Sequence, residues 1–321
     1  MVILLRALVY FFMFFVLWLG SGLIISAVEK ASKVLKISTF ALSFFVLGLL
    51  TSIPEIAVGV TSVVERDPQI FVGNLLGGIV VIFLLIIPVL AIFGNGINLS
   101  HRMDQKGLLS AMIVCVAPAL LVADKKVGMF EAVLMILLYI STLYIVQRKQ
   151  NLIEKVETIQ ASLKTDGKTH IQNILKILAG LVIVFFGSEY IVRETIAFSE
   201  IIKVSPFLLS IVVLSIGTNL PEFFLALRGI RQNKKDVAFG DYIGSASANT
   251  LIFGGLVFMN GGTVTLTNNF LQSLIFILIA LVCFYFFARS KNTISRKEGI
   301  VLVMIYVSFV ALEFWAASNG K

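Results

Sequence analysis

Two glutamates embedded in long apolar runs are the residues of this sequence best placed to do chemistry. Glu55 follows Thr51-Ser52-Ile53-Pro54, and Glu222 follows Thr218-Asn219-Leu220-Pro221. A glycine-rich stretch comes after each: Gly73-Asn74-Leu75-Leu76-Gly77-Gly78 in one case, Gly240-Asp241-Tyr242-Ile243-Gly244-Ser245 in the other. The offset between Thr51 and Thr218 holds without a gap through Ile82 and Asn249. A carboxylate within an apolar span is costly and marks function by default. A second one in the same local setting makes chance a poor explanation.

The chemistry these residues support is hard-cation binding. Pro54 and Pro221 each remove a backbone donor and free a carbonyl four residues back. In lipid such a carbonyl needs a partner, and a cation is one. Glu55 and Glu222, with the side-chain oxygens of Thr51, Ser52, Thr218 and Asn219, are oxygen ligands suited to Na⁺ or Ca²⁺. Glu55 and Glu222 are the expected ligands of a divalent metal ion. Asp241, Ser245 and Asn249 follow the i, i+4, i+8 spacing of one helical face. The matching face of the first copy, Asn74, Gly78 and Ile82, is far less polar. Glu29 and Glu189 sit near segment ends, where they reach solvent. Glu131 and Glu313 are read as solvated at interfaces, and His101 and His170 as connector residues. Cys115 and Cys283 lie in apolar runs, where isolated thiols are packing residues.

The elements that must position these groups are membrane helices. The chain has 321 residues, 58% hydrophobic and 14% charged, with a net charge of +8. Soluble chains run nearer 45–50% apolar and about 25% charged. The basic residues form no aromatic-interleaved patch, so nucleic acid is not an expected partner; membrane lipid is. Ten segments are long and apolar enough to span: 3–28, 38–64, 69–94, 107–123, 128–147, 171–198, 205–228, 236–259, 269–288 and 298–317. No small-x-small cleavage site follows the first, and its apolar pattern continues to Val28, so it is read as a spanning helix and not a signal peptide. Most of the 26 Lys and Arg fall in the connectors that follow odd-numbered spans. That bias puts those connectors in the cytoplasm and both termini outside. The fold expected is therefore all-α integral membrane, with ten transmembrane helices in two inverted five-helix repeats. Residues 1–147 form the first repeat, 148–170 a cytoplasmic connector and 171–321 the second. An odd number of spans per repeat turns the second copy upside down, as in secondary transporters.

Paired motifs of the form G-T-S-x-P-E and G-N-x-x-G-S-N in spans two–three and seven–eight resemble the α-repeats of the Ca²⁺/cation antiporter superfamily, which includes the sodium/calcium exchangers. The resemblance implies a cation site at mid-membrane between the repeats. It carries ligand roles onto Thr51, Ser52, Glu55, Thr218, Glu222 and Ser245. This chain departs from the pattern at several positions. Leu50 replaces Gly; Gly78, Ile79 and Ile82 replace Ser, Asn and Asn; Asn219 replaces Ser; Asn249 stands where Asp is common; Asp241 stands where Asn is usual. Asp241, two turns from Asn249 on one face, is a candidate for the displaced carboxylate.

The resemblance implies a plasma-membrane antiporter exchanging Na⁺ for Ca²⁺, with both ions as cargo, no cofactor, and function as a monomer. Spans one and six, matched at Gly20-Ser21 and Gly187-Ser188, would slide past the core. Exchange against H⁺ on the same fold is the nearest alternative, because buried carboxylates take protons readily. A non-transporting membrane scaffold is the alternative from another class. An enzyme is not expected, since no nucleophile with its base and no H-E-x-x-H metal motif is present.

Overall fold

The computed structural model describes residues 2–32, 44, 48–98, 105–148, 167–223, 227, 235–266, 271–291 and 293–319. The chain is mostly helical. In the first half, α1 (Val2–Ser32) is followed by two short helices, α2 (Gly48–Thr51) and α3 (Ile53–Val64), separated at Ser52. Next come α4 (Pro68–Val81), a π-helical turn at Ile82–Ile86, α5 (Ile87–Phe93), strand β1 (Ile97–Asn98), α6 (Gln105–Leu121), strand β2 (Lys126–Val127) and α7 (Met129–Arg148). The second half opens with α8 (Gly167–Ile202). It continues with α9 (Pro206–Leu209), a π-helical turn at Ser210–Leu214, and α10 (Ser215–Thr218), which ends at Asn219. Helix resumes at 220–223. After it lie α11 (Lys235–Met259), strand β3 (Val264–Thr265), α12 (Leu271–Lys291), strand β4 (Thr293–Ile294) and α13 (Arg296–Asn319).

Six stretches among the described residues are long and apolar enough to cross a membrane: Pro68–Phe93, Met129–Val146, Ile174–Ile202, Gly240–Met259, Leu271–Arg289 and Arg296–Ala316. Shorter apolar helices cover Leu4–Gly20, Ile53–Val64, Gly107–Leu121 and Pro206–Thr218. Each overlaps an expected segment, with ends up to four residues outside it. Two further expectations are corrected. The last residues of the 148–170 connector, from Gly167, already belong to α8. Glu313, read from sequence as solvated, is only 7% exposed and accepts a 2.6 Å hydrogen bond from Ser273 Oγ. Packing of α13 against α12 decides this, and helix-end position alone does not reveal it.

Helices α4 and α11 form the centre. Their residues, from Gly240 onward in α11, are buried almost throughout, which is why these stretches are apolar or small-polar all round instead of amphipathic. The other long helices keep one apolar face outward, for example Leu4, Phe11 and Phe12 on α1 and Phe185 and Phe186 on α8. The apolar interior divides in two. A large cluster surrounds α4 and α11, and a smaller one joins Tyr10, Phe14 and Leu17 of α1 to Val184, Ile191 and Val192 of α8, with Val58, Ile70 and Leu214.

Two short antiparallel ribbons tie the halves together at the connectors. Ile97 and Asn98 pair with Ile294 and Thr293, while Lys126 and Val127 pair with Thr265 and Val264. Shifting the two strands of the first half by the Thr51-to-Thr218 offset turns β1 into β3 and β2 into β4. Each ribbon is thus the other's counterpart.

Candidate cation-binding site

The site forms where the two helix breaks meet the middles of α11 and α4. Ser52 and Asn219 adopt nearly the same backbone angles, φ −77°, ψ 9° and φ −86°, ψ 12°. Beyond each break the helix restarts with a proline in its first turn, where the missing N–H costs nothing. The Ser52 carbonyl accepts from Ile56 N at 3.0 Å and the Asn219 carbonyl from Phe223 N at 3.1 Å. Glu55 lies in the first turn of α3, at the positive end of its dipole.

Contacts across the site come in matched pairs. Thr51 Oγ1 donates to Asp241 Oδ1 at 3.1 Å, and Thr218 Oγ1 donates to Asn74 Oδ1 at 3.0 Å. Ser52 Oγ donates to the Gly48 carbonyl at 2.8 Å, and Asn219 Nδ2 to the Ser215 carbonyl at 2.8 Å. Close helix approach underlies the pairing. A Cβ on Gly244 would run into the Phe44 backbone, and one on Gly77 into the Ile211 carbonyl and Ser215. Phe44 and Ile211 are counterparts in the repeat.

The pairing fails at one position, and the failure explains the most exceptional residue of the site. Ser245 Oγ donates to Glu222 Oε1 at 2.7 Å and lies 3.1 Å from Ser52 Oγ. The counterpart of Ser245 is Gly78, which has no hydroxyl to offer Glu55. Thr218 is beside Glu55, but its single proton goes to Asn74. Both Glu55 oxygens are therefore buried without a hydrogen-bond partner. Glu222 Oε2, Asp241 Oδ2, Asn219 Oδ1 and both polar atoms of the Asn249 amide share that condition. A buried polar atom without a partner is rare and costly, and here acceptor oxygens dominate the unmatched set.

All nine residues expected from sequence lie in this region: Thr51, Ser52, Glu55, Thr218, Asn219, Glu222, Asp241, Ser245 and Asn249 are each at most 1% exposed. Asn74 was not among the expected site residues. The same offset that singles out Asp241 points to it, but a lone Asn beside glycines reads as packing. Tyr242, whose buried hydroxyl also lacks a partner, has Leu75 as its counterpart and left no repeated signal. Ile82, fully buried, opens the π-helical turn of the third span and brings no ligand. Of the weaker candidates, Glu189 pairs with Arg193 at 3.0 Å, and Glu131 accepts from Gly128 N at 2.8 Å. Cys115 and Cys283 are free thiols, Cys115 fully buried. His101 and the side chains of Glu29 and His170 lie outside the described residues.

Among the described residues no three Asp, Glu, His or Cys side chains are grouped to hold a metal ion; the two glutamates of the broken helices are instead surrounded by hydroxyl, amide and carbonyl oxygens, with Asp241 beside Thr51 and little water access. That donor set fits a hard cation. The sequence model of the family described as "Sodium/calcium exchanger protein" matches residues 6–147 and 173–315, which is most of the chain. The chain belongs to the sodium/calcium exchanger family. It is 24% identical to the sodium/calcium exchanger MaX1 of Methanosarcina acetivorans, over 92% of this chain and 95% of that one. It is 23% identical to the putative antiporter CaxA of Alkalimonas amylolytica, over 89% and 91% of the two chains. Among solved structures it is similar to the sodium-calcium exchanger NCX_Mj, with a TM-score of 0.66, 22% identity, and 97% and 99% of the chains covered. This likeness shows a shared fold. Within the family, the chain is a multi-pass membrane protein.

Proposed function

We propose that this protein exchanges Na⁺ for Ca²⁺ by alternating access, with the ions bound between its two halves. The observation that carries the reading is Glu55: a carboxylate 1% exposed with neither oxygen hydrogen-bonded, next to Glu222 where two broken helices meet. Such a group is held at a cost that a cation offsets. Glu55 and Glu222 together neutralise one Ca²⁺. Na⁺ competes for the same oxygens, which couples the two fluxes. Thr51, Ser52, Thr218, Asn219, Ser245, Asn249 and Asp241 complete the donor set. The exchangers among its relatives and structural neighbours favour the same ion pair.

The ten-crossing inverted arrangement, with halves 1–147 and 171–321 joined by 148–170, is part of this proposal. The two counterpart ribbons support it, because each joins connectors of equal parity in the ten-span scheme. The separate apolar cluster between α1 and α8 supports movement of that pair against the core. The basic connectors favour both termini outside, in the plasma membrane. We take the monomer as the working unit, since the site is complete within one chain.

Uptake of ⁴⁵Ca²⁺ into proteoliposomes loaded with Na⁺ tests the reading. Uptake should require the outward Na⁺ gradient and stop when it is collapsed. Uptake indifferent to Na⁺ would overturn it. One observation favours a second reading, exchange against protons. With Asp241 the site holds three carboxylates, so a bound Ca²⁺ leaves one negative charge for H⁺ or Na⁺. A pH gradient imposed without Na⁺ separates the two.

Asp241→Asn is informative here. The amide keeps an Oδ1 to accept from Thr51, so the fold should be retained while one charge is lost. Apparent cation affinity should fall about 10-fold or more, by analogy with the way ligand charge tunes oxygen-ligated sites. Unchanged affinity and transport would remove Asp241 from the ligand set.

A further inference from the structure

The two flanks of the site are related by the repeat, yet they are built differently. On one, Ser52 Oγ and Ser245 Oγ stand 3.1 Å apart. Each hydroxyl has one proton. Ser245 gives its proton to Glu222 and Ser52 gives its to the Gly48 carbonyl. With those protons given away, both oxygens keep lone pairs free within 3.1 Å of each other, an arrangement a small cation stabilises. On the other flank the counterparts are Asn219 and Gly78. A Cβ on Gly78 would lie 3.0 Å from Asn249 Nδ2 and 3.2 Å from Asn219 Nδ2, but 4.0 Å from Asn219 Oδ1. The Asn219 amide is oriented by its bond to the Ser215 carbonyl, 2.8 Å from Nδ2, so its nitrogen, a donor, is turned to the space a hydroxyl would fill. A larger residue at 219 and a smaller one at 78 keep the volume and replace two hydroxyls with one amide, whose Oδ1 stays buried and unpartnered on the far side from Gly78.

We propose that the Asn219–Gly78 exchange closes one of two symmetry-related monovalent-cation subsites, leaving a single one between Ser52 and Ser245. The inference deepens the exchange reading and rests on it. It also assigns unequal roles to the glutamates. Glu222 has one oxygen committed to Ser245. Glu55, facing the closed flank, keeps both for the divalent ion.

The test compares wild type, Gly78→Ser, Asn219→Ser and the double variant, each purified in detergent and reconstituted. Gly78→Ser alone should be the least stable, because its side chain meets both amides. Adding Asn219→Ser should restore the melting temperature toward wild type. The double variant has hydroxyls at both counterpart positions, so the Na⁺ dependence of Ca²⁺ flux should steepen by about one in Hill coefficient, whose ceiling is the number of sites. Failure of the double variant to regain stability over Gly78→Ser would overturn the closed flank. Regained stability with unchanged steepness would overturn the lost subsite. Stability rescue in a protein whose wild type shows no Na⁺-dependent Ca²⁺ flux would sink the exchange reading while upholding the closure.

Discussion

Glu55→Gln is expected to abolish Na⁺-driven Ca²⁺ uptake while leaving the protein folded. Neither Glu55 oxygen accepts a hydrogen bond, and the residue is 1% exposed. The substitution therefore breaks no protein contact and removes a buried, unpaired charge, which is neutral or stabilising for folding. For the site it is severe. One of the two charges opposing Ca²⁺ disappears where few other groups compensate, and Ca²⁺ affinity should fall about 100-fold or more. Melting temperature in detergent without Ca²⁺ should be equal to wild type or higher. Glu222→Leu differs in kind. Glu222 accepts from Ser245 at 2.7 Å, and an apolar side chain removes the charge and leaves that buried hydroxyl without its acceptor. Loss of transport should then come with lower stability. Wild-type flux in Glu55→Gln would remove Glu55 from the ion path.

The second large effect concerns folding. Gly244→Ala should sharply lower melting temperature and purified yield, whereas Gly255→Ala on the same helix should not. A Cβ at 244 would sit 2.8 Å from the Phe44 carbonyl carbon and 2.9 Å from its Cα. Those are backbone atoms and cannot rotate away, so α11 would have to move off the first half of the chain. Overpacking of this sort costs about 1–3 kcal/mol or more, and the displaced helix carries Asp241, Ser245 and Asn249. At Gly255 an added Cβ meets nothing within 4 Å. There alanine gains up to about 1 kcal/mol of helix propensity over glycine. Equal behaviour of the two variants, measured by thermal unfolding in detergent, would sink the close-approach explanation.

Much of this molecule was legible without coordinates. Membrane helices follow from apolar runs that water would not tolerate and from connectors rich in Lys and Arg. The two breaks were readable because proline in an apolar span has few uses, and a glutamate beside it fewer. The repeat amplified both signals, since a local accident does not recur at a fixed offset through Ile82 and Asn249. Even Asp241 stood out, as a charge on a buried helical face. Less visible was Asn74: its role depends on Thr218 reaching it from a helix in the other half of the chain. Glu313 misled for a similar reason, because position near a helix end says nothing about which neighbour covers it.

The sequence alone marked the candidate site residues, because desolvating a carboxylate is costly wherever the chain folds and so points to function before any contact is known. Which oxygens remain available was a tertiary decision. A hydroxyl has one proton, and only the packing of α11 on the first break gives the proton of Ser245 to Glu222. Only the matching helix approach at Gly78 shows that Glu55 receives none. The departures at Gly78 and Asn219 look like two separate losses in the sequence. In space they are one exchange of volume, and the donor nitrogen it brings in sets that flank apart from the other.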